Sequence, residues 1–243
     1  MAANTHTLRS ALALWWRRER EEKSLSYTAR LFVATFWEFL LDSLPYRRRQ
    51  RYGDVDFDWE HRVDTTSATV SWRTRLMGLL SSPYQPIPPQ EFRQLMSALP
   101  IDFSQFTFID IGSGKGRALL LAAEYGFRRI IGIEWLPELD RIARINIEKL
   151  QENRTLTANI ELICMDVTKF VFPAEPTLVF LFNPLPESSL RKLLWNVEES
   201  LRRNPRSLYV AYANPILAHI LESCSFLVSV GNTPLYALFR SAI

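Results

Sequence analysis

From Phe106 onward the apolar residues fall into short continuous runs, separated by stretches whose apolar positions recur at helical spacing. FTFIDI, RIIGIE, ELICMD, TLVFLF and SLYVAYA read as buried strands. Between them RALLLAAEYG, the segment from Pro137 to about Glu152, the face formed by Leu190, Leu193, Leu194, Val197 and Leu201, and PILAHILE read as helices, with Pro137 suited to a first turn. FLVSV and LYALFR close the pattern as two strands about the turn GNTP. Strands without polar alternation are buried on both faces, so helices must cover both sides of the sheet. The expected class is α/β: a doubly wound, mostly parallel seven-stranded sheet with an antiparallel C-terminal hairpin at one edge.

The chain ahead of this region is organised differently. Phe92, Leu95, Met96 and Leu99 are spaced as one helical face closed by Pro100, and SSPYQPIPP (81–89) is too proline-rich to continue a helix. Residues 52–71 carry several acids and little periodicity. Leu8, Leu12, Trp15 and Trp16 predict a short amphipathic helix running into the charged RREREEK, and Leu25 to Leu44 a helix apolar on nearly all sides. The eleven apolar-rich residues LFVATFWEFLL include Glu38 and fall short of the ~20 needed to cross a bilayer. ALALWW is short and runs into Arg17 and Arg18, which argues against a secretory leader. Two readings of this extension stay open: a helical pair packed on the main domain or a second subunit, or a membrane-surface anchor across residues 8–51 flanked by RRRQR (47–51). The chain is therefore divided into a basic, apolar helical extension (1–53), a pre-sheet lid and linker helix (54–100), and a ligand-binding α/β domain (101–243).

Charge sharpens that division. The 243 residues hold 29 Lys and Arg against 26 Asp and Glu, but residues 1–53 contain ten of the basic groups and five of the acidic ones, hence +5. The remaining 19 and 21 leave residues 54–243 at −2, so the basic excess says little about what the main domain binds. Hydrophobic content of 47% with 23% charge suits a packed core and excludes general disorder. Two distant cysteines, Cys164 and Cys224, exclude a disulfide framework and a four-ligand zinc site, and no metal is expected. With only His6, His61 and His219, a histidine cluster or triad lacks parts.

The most informative stretch is FIDIGSGKGRALL (108–120), in which a strand delivers Asp110 and then Gly112, Gly114 and Gly116 straight into a helix. Such a junction presents backbone N–H groups and a positive helix end to a ligand. A Walker loop would need glycine where Ile109 stands and Ser or Thr where Gly116 stands, and a dinucleotide fingerprint would need glycine at Arg117. The spacing is Asp-x-Gly-x-Gly-x-Gly, with Ser113 inside it. A carboxylate at Glu134, which ends the next strand, is suited to accepting two hydrogen bonds from a ribose diol.

With this motif the sequence resembles the class I, Rossmann-like S-adenosylmethionine-dependent methyltransferases, over roughly residues 84–240 and best over 106–186. The resemblance implies S-adenosyl-L-methionine as cofactor. Asp110 would hold the methionine ammonium, Gly112, Ser113, Gly114 and Gly116 would pass under the amino-acid end, and Glu134 would take the ribose. Trp135 would lie against the adenine, and Asp166 with the backbone of Val167 would bind the adenine amino group. After the fourth strand, Asn183-Pro184-Leu185-Pro186 resembles the Asn/Asp-Pro-Pro-Tyr/Phe of amino-methylating members. Leu185 and Pro186 depart from it where a proline and an aromatic would stack a flat base. HRVDTTSATV (61–70) and SSPYQP precede the sheet as in a group of bacterial methyltransferases, more distantly similar to protein-lysine methyltransferases. That likeness implies acceptor-side roles for Tyr84 and Asp64, less firmly for Thr65 and Thr66.

The expected activity is methyl transfer to nitrogen, on a protein side chain such as lysine or on a small amine. Asn183 and Pro184 would orient the acceptor, and Asp64, His61 or Tyr84 would receive a proton. Methylation of a lipid or small hydroxyl compound is the alternative. A non-catalytic cofactor-binding subunit is a third reading, and nucleic acid is disfavoured because no basic and aromatic residues interleave around the loop. A cytoplasmic location is expected, with peripheral membrane contact left open.

Overall fold

A computed structural model describes residues 12–13, 16, 24–42, 55–71, 74, 84–153, 159–182 and 185–242. The expected helix around Leu8 to Trp16, the RRRQR segment and the candidate residues Asn183 and Pro184 lie outside the described residues or largely so. The chain forms two compact units. One comprises residues 1–56 and 66–85, the other residues 57–65 and 86–243, so the segment expected to act as one pre-sheet lid (54–100) is shared between them.

The larger unit is built on seven strands: β1 (Thr107–Ile111), β2 (Arg129–Glu134), β3 (Ile160–Cys164), β4 (Thr177–Phe182), β5 (Leu208–Ala213), β6 (Leu227–Asn232) and β7 (Tyr236–Ser241). Their order across the sheet is β3-β2-β1-β4-β5-β7-β6. β1 to β5 run parallel, and β7 lies antiparallel between β5 and the outermost strand β6. The hairpin is longer than its sequence suggests: β6 continues through Gly231 and Asn232 with an irregularity between Ser229 and Gly231, which moves the turn toward Thr233 and Leu235.

Seven described helices accompany them: α1 (Leu25–Asp42) in the smaller unit, α2 (Val55–His61), α3 (Pro89–Ser97), α4 (Arg117–Ala122), α5 (Pro137–Asn153), α6 (Glu187–Arg203) and α7 (Ala218–Glu222). Pro89 and Pro137 open α3 and α5, where a missing N–H costs nothing. α7 is shorter than PILAHILE, because Pro215 and Ile216 sit in a turn begun by Asn214, whose φ is +48°.

Side chains alternate across each strand, and the two cores follow from that period of two. Phe108, Ile130, Leu178, Phe180 and Tyr209 face one side, where they meet Phe92, Leu95 and Met96 of α3, Leu119 and Leu120 of α4, and Ile147 and Leu150 of α5. Phe92, Phe108 and Phe180 pack with ring centroids 5.5–6.1 Å apart. Ile109, Ile131, Val179, Leu181 and Val210 face the other side against Leu190, Leu194, Val197 and Leu201 of α6 and Ile220 and Leu221 of α7. Strand order reverses between β1 and β4, and in open α/β sheets the ligand crevice lies at the carboxyl ends of the strands flanking that reversal. Asp110 and Phe182 stand there.

Candidate cofactor and active site

β1 hands over to α4 through Gly112, Gly114 and Gly116, whose φ values of +73°, +55° and +87° lie in the left-handed region. Glycine enters that region without the Cβ penalty of other residues, so the spacing is a backbone requirement here. The turn is pinned to β2: the N–H groups of Gly112 and Ser113 both donate to the Ile133 carbonyl, at 2.8 and 3.0 Å. Close approach is permitted by Gly132 in the middle of β2. A Cβ there would stand 2.5 Å from Leu119 Cδ1, 2.8 Å from Leu162 Cδ2 and 3.0 Å from Ser113 Oγ. That hydroxyl is buried and has no hydrogen-bond partner.

Asp110 and Glu134 fall on the same face of neighbouring parallel strands, with Asp110 in register with Gly132, two residues before Glu134. Both are buried. Burial first, then the charge of Glu134, pushes the Asp110 carboxyl up to about 8. Burial pushes Glu134 up to about 7, against the pull of N–H bonds from Leu136, Gly114 and Trp135. Glu134 is thus more engaged than its place at a strand end suggests: Oε2 accepts from Gly114 N and Oε1 from Leu136 N, each at 2.8 Å. The carboxylate fixes the glycine turn, and each oxygen keeps a second lone pair for a ligand hydroxyl. Trp135 follows it, half-buried. Asp166 is exposed and lies two residues beyond the end of β3, where Oδ1 caps a short turn by accepting from Thr168 N and Oγ1 at 2.9 and 2.8 Å. Val167 is buried behind it. Asp110, Glu134 and Asp166 therefore line the carboxyl edge of β1, β2 and β3, as their sequence positions predict.

Three further polar residues, unmarked in the sequence, hold this loop from the other side. Arg117, the first residue of α4, is almost fully buried; its Nη2 donates to Asp58 Oδ1 at 3.2 Å and its Nε to Thr65 Oγ1 at 2.7 Å. Thr65 in turn donates to Asp58 from its N–H, at 2.7 Å, and from its hydroxyl. The guanidinium lies 4.9 Å from the centre of the Phe57 ring, on which His61 stacks. A cation at a helix N-terminus opposes the helix dipole, so Asp58 supplies the anion this position favours. Lys115, also buried, donates to Asp64 Oδ1 at 2.8 Å, and burial lowers its pKa while that carboxylate pulls it back up. Asn146 of α5 binds both strands of the tie. Its Oδ1 accepts from Asp64 N at 2.9 Å, and its Nδ2 donates to the carbonyls of Asp64 and Lys115 at 2.8 and 3.0 Å.

Residues 57–65 are therefore a strap cross-linked to the glycine loop. Asp64 spends one carboxylate oxygen on Lys115, and Thr65 serves the Arg117 cluster. His61 holds its own helix through the Phe57 carbonyl, 2.9 Å from Nδ1. Thr66 and Tyr84 belong to the smaller unit, where Tyr84 is half-buried. Asn146 had one legible signal, an amide on the apolar stripe of α5 beside Ala143, Ile147 and Leu150. Among the described residues no group of three or more His, Cys, Asp or Glu side chains is placed to hold a metal ion.

The sequence matches no protein-family model and no curated protein. Solved structures similar to it include an Escherichia coli protein provisionally named a methyltransferase, at 14% identity over 65% of this chain and 89% of that one, with a TM-score of 0.48. A Pyrococcus horikoshii protein provisionally named an RNA methyltransferase matches at 17% identity over 65% and 87%, with a TM-score of 0.48. A ribosomal protein L11 methylase from Lactobacillus delbrueckii subsp. bulgaricus matches at 13% identity over 62% and 76%, with a TM-score of 0.44. The strand order, the inserted antiparallel β7 and the strand–glycine loop–helix junction define a doubly wound, Rossmann-like α/β fold. The chemistry of the site rests on this chain's own residues.

Proposed function

We propose that the chain is an S-adenosyl-L-methionine-dependent methyltransferase acting on a nitrogen acceptor, with a protein side chain such as lysine ahead of a small amine. The observation that carries the reading is the paired burial of Asp110 and Glu134 beside three left-handed glycines, with no cation of the described residues facing Asp110. Two carboxyls pushed up together make a site that favours a positive ligand, and the orphaned Ser113 hydroxyl adds an unmet polar group at the same turn. A cofactor bearing an ammonium, a ribose diol and an adenine fits this donor set. Asp110 would hold the ammonium, Glu134 the ribose, and Asp166 with the Val167 backbone the adenine amino group.

When bound, S-adenosyl-L-methionine supplies a methyl group on a positively charged sulfur. The protein's own work is to orient, to exclude water and to keep the acceptor nitrogen neutral. The glycine loop orients, braced by the strap through Arg117 and Lys115. Asn183, which follows the last residue of β4, and Pro184 are assigned to the acceptor, because an amide oxygen there would accept from an amine and aim its lone pair. Asp64, paired with Lys115, is assigned first to bracing.

The test is tritiated-methyl labelling of a cell lysate by the purified chain, with protein, lipid, nucleic-acid and small-molecule fractions counted separately. Label in protein or in small amines, absent with Asp110→Ala, is the expected result. Label confined to lipid or nucleic acid would overturn the acceptor assignment. Loss of turnover in Asn183→Ala with unchanged S-adenosylhomocysteine affinity is expected, and full turnover would remove Asn183 from the acceptor site.

A further inference from the structure

The helix α1 presents apolar residues outward. Leu25, Ala29, Val33 and Trp37 follow one another at intervals of four, which places them in one row along the helix. All four are exposed: Leu25 by 55%, Val33 by 66% and Trp37 by 61%, with Phe32 and Phe36 exposed along the border of the row. Basic residues crowd both ends of the helix in the sequence: Arg17, Arg18, Arg20 and Lys23 before it, Arg47, Arg48, Arg49 and Arg51 after it. No described helix is long and apolar enough to cross a membrane.

We propose that α1 is a docking surface for an anionic lipid bilayer, lying in the plane of the interface with the Leu25–Val33–Trp37 row against the acyl boundary, in a stretch of sequence whose positive charge matches anionic headgroups. Charge decides the occupant. A second copy of the chain seated on the same face would bring two segments of +5 together, whereas a bilayer containing anionic lipid supplies the opposite sign. Tryptophan and phenylalanine suit the interface, where an apolar ring meets a polar boundary. The proposal does not depend on which acceptor is methylated.

The full-length chain is to be sedimented with vesicles of phosphatidylcholine alone and of phosphatidylcholine with phosphatidylglycerol. Binding to the anionic vesicles, weakened by added salt and absent with phosphatidylcholine alone, is the expected result. Val33→Glu combined with Trp37→Ser should weaken the partition by about tenfold or more. Replacing Arg47, Arg48, Arg49 and Arg51 by Gln should weaken it by about fivefold per arginine near the surface. Neither variant should change S-adenosylhomocysteine affinity, which also reports that each is folded. The proposal is overturned by equal binding to both vesicle types, by no binding to either, or by variants that bind like the parent. It is equally overturned if the parent is a dimer that Val33→Glu with Trp37→Ser returns to monomer, since α1 would then be a contact between copies.

Discussion

The ion pair between Asp58 and Arg117 joins two parts of the chain 59 residues apart, and its removal should be felt in stability before it is felt anywhere else. The two side chains are 10% and 1% exposed. Asp58→Ala strands a guanidinium in the interior beside the Phe57 ring. Removing one member of a buried pair costs about 3–5 kcal/mol, because the other charge is left uncompensated. At roughly 2–4 °C per kcal/mol for a chain of this size, Tm should fall by about 6–20 °C. The comparison is Glu187→Ala, which breaks the pair between Glu187 and Arg191 on α6, 52% and 54% exposed, and should cost at most about 1 kcal/mol. The double variant Asp58→Ala with Arg117→Met should regain most of the loss, since an apolar side chain of similar length removes both the buried charge and an unfavourable cation at the first turn of α4. Calorimetric melts of the four proteins at two salt concentrations decide the matter, with the Asp58 effect largely independent of salt. An Asp58→Ala shift no larger than that of Glu187→Ala, or a double variant no better than the single, would sink the idea that this pair is a buried tie.

Other consequences follow from the carboxyls and the glycines. With Asp110 pushed up to about 8 and Glu134 to about 7, binding of a cationic cofactor should expel a proton, so affinity should climb by about tenfold per pH unit from pH 6 toward 8 and level off above. Calorimetric titration in buffers of different ionisation enthalpy would read the proton, and a flat profile would show the pair already ionised. In the ligand-free protein the dependence runs the opposite way: a carboxyl raised in the fold above its ordinary 3.8 gives stability that is complete at low pH and is lost as pH rises through 8. Asp110→Asn should accordingly stabilise the ligand-free chain more at pH 8.5 than at pH 5, measured by melts at both. Gly132→Ala should lower stability by about 1–3 kcal/mol, because its Cβ meets Leu119 and Leu162 below contact distance. Gly116→Ala meets Ala143 Cβ at an ordinary 3.4 Å, so any loss there reports the left-handed backbone, about 1–2 kcal/mol.

Strands and helices were legible because each carries its own period. Each of the seven strands overlaps a run that continuous apolarity marks, although β3 begins one residue earlier at Ile160, β6 runs on through Gly231 and Asn232, and β7 ends one residue later at Ser241; the glycine spacing fits the three positive φ angles it implies. The strap was not legible, for a physical reason. Asp58 with Arg117, Asp64 with Lys115, and Asn146 with both segments pair residues 31 to 82 positions apart, and a single polar contact at that distance leaves no periodic trace. Asp64 and Thr65 were singled out through resemblance, as acceptor-side residues, whereas their contacts turn toward Lys115 and Arg117. Glu134 shows a milder form of the same limit. Its position at a strand end was readable, but not that both oxygens would first be claimed by Gly114 and Leu136.

The placement of β7 bears on how the chain reaches this structure. It is the last strand in sequence, yet it sits inside the sheet, hydrogen-bonded to β5 on one side and β6 on the other. Until residues 236–241 arrive, β5 presents a bare edge of N–H and C=O groups and β6 has no strand to pair with. The parallel core of β1 to β5 can collapse earlier, but its right-hand boundary stays open to any other extended segment nearby. Assembly is thus completed from the C-terminal end inward, and a nascent or truncated chain lacking Tyr236–Ser241 carries an adhesive strand edge that the finished molecule does not possess.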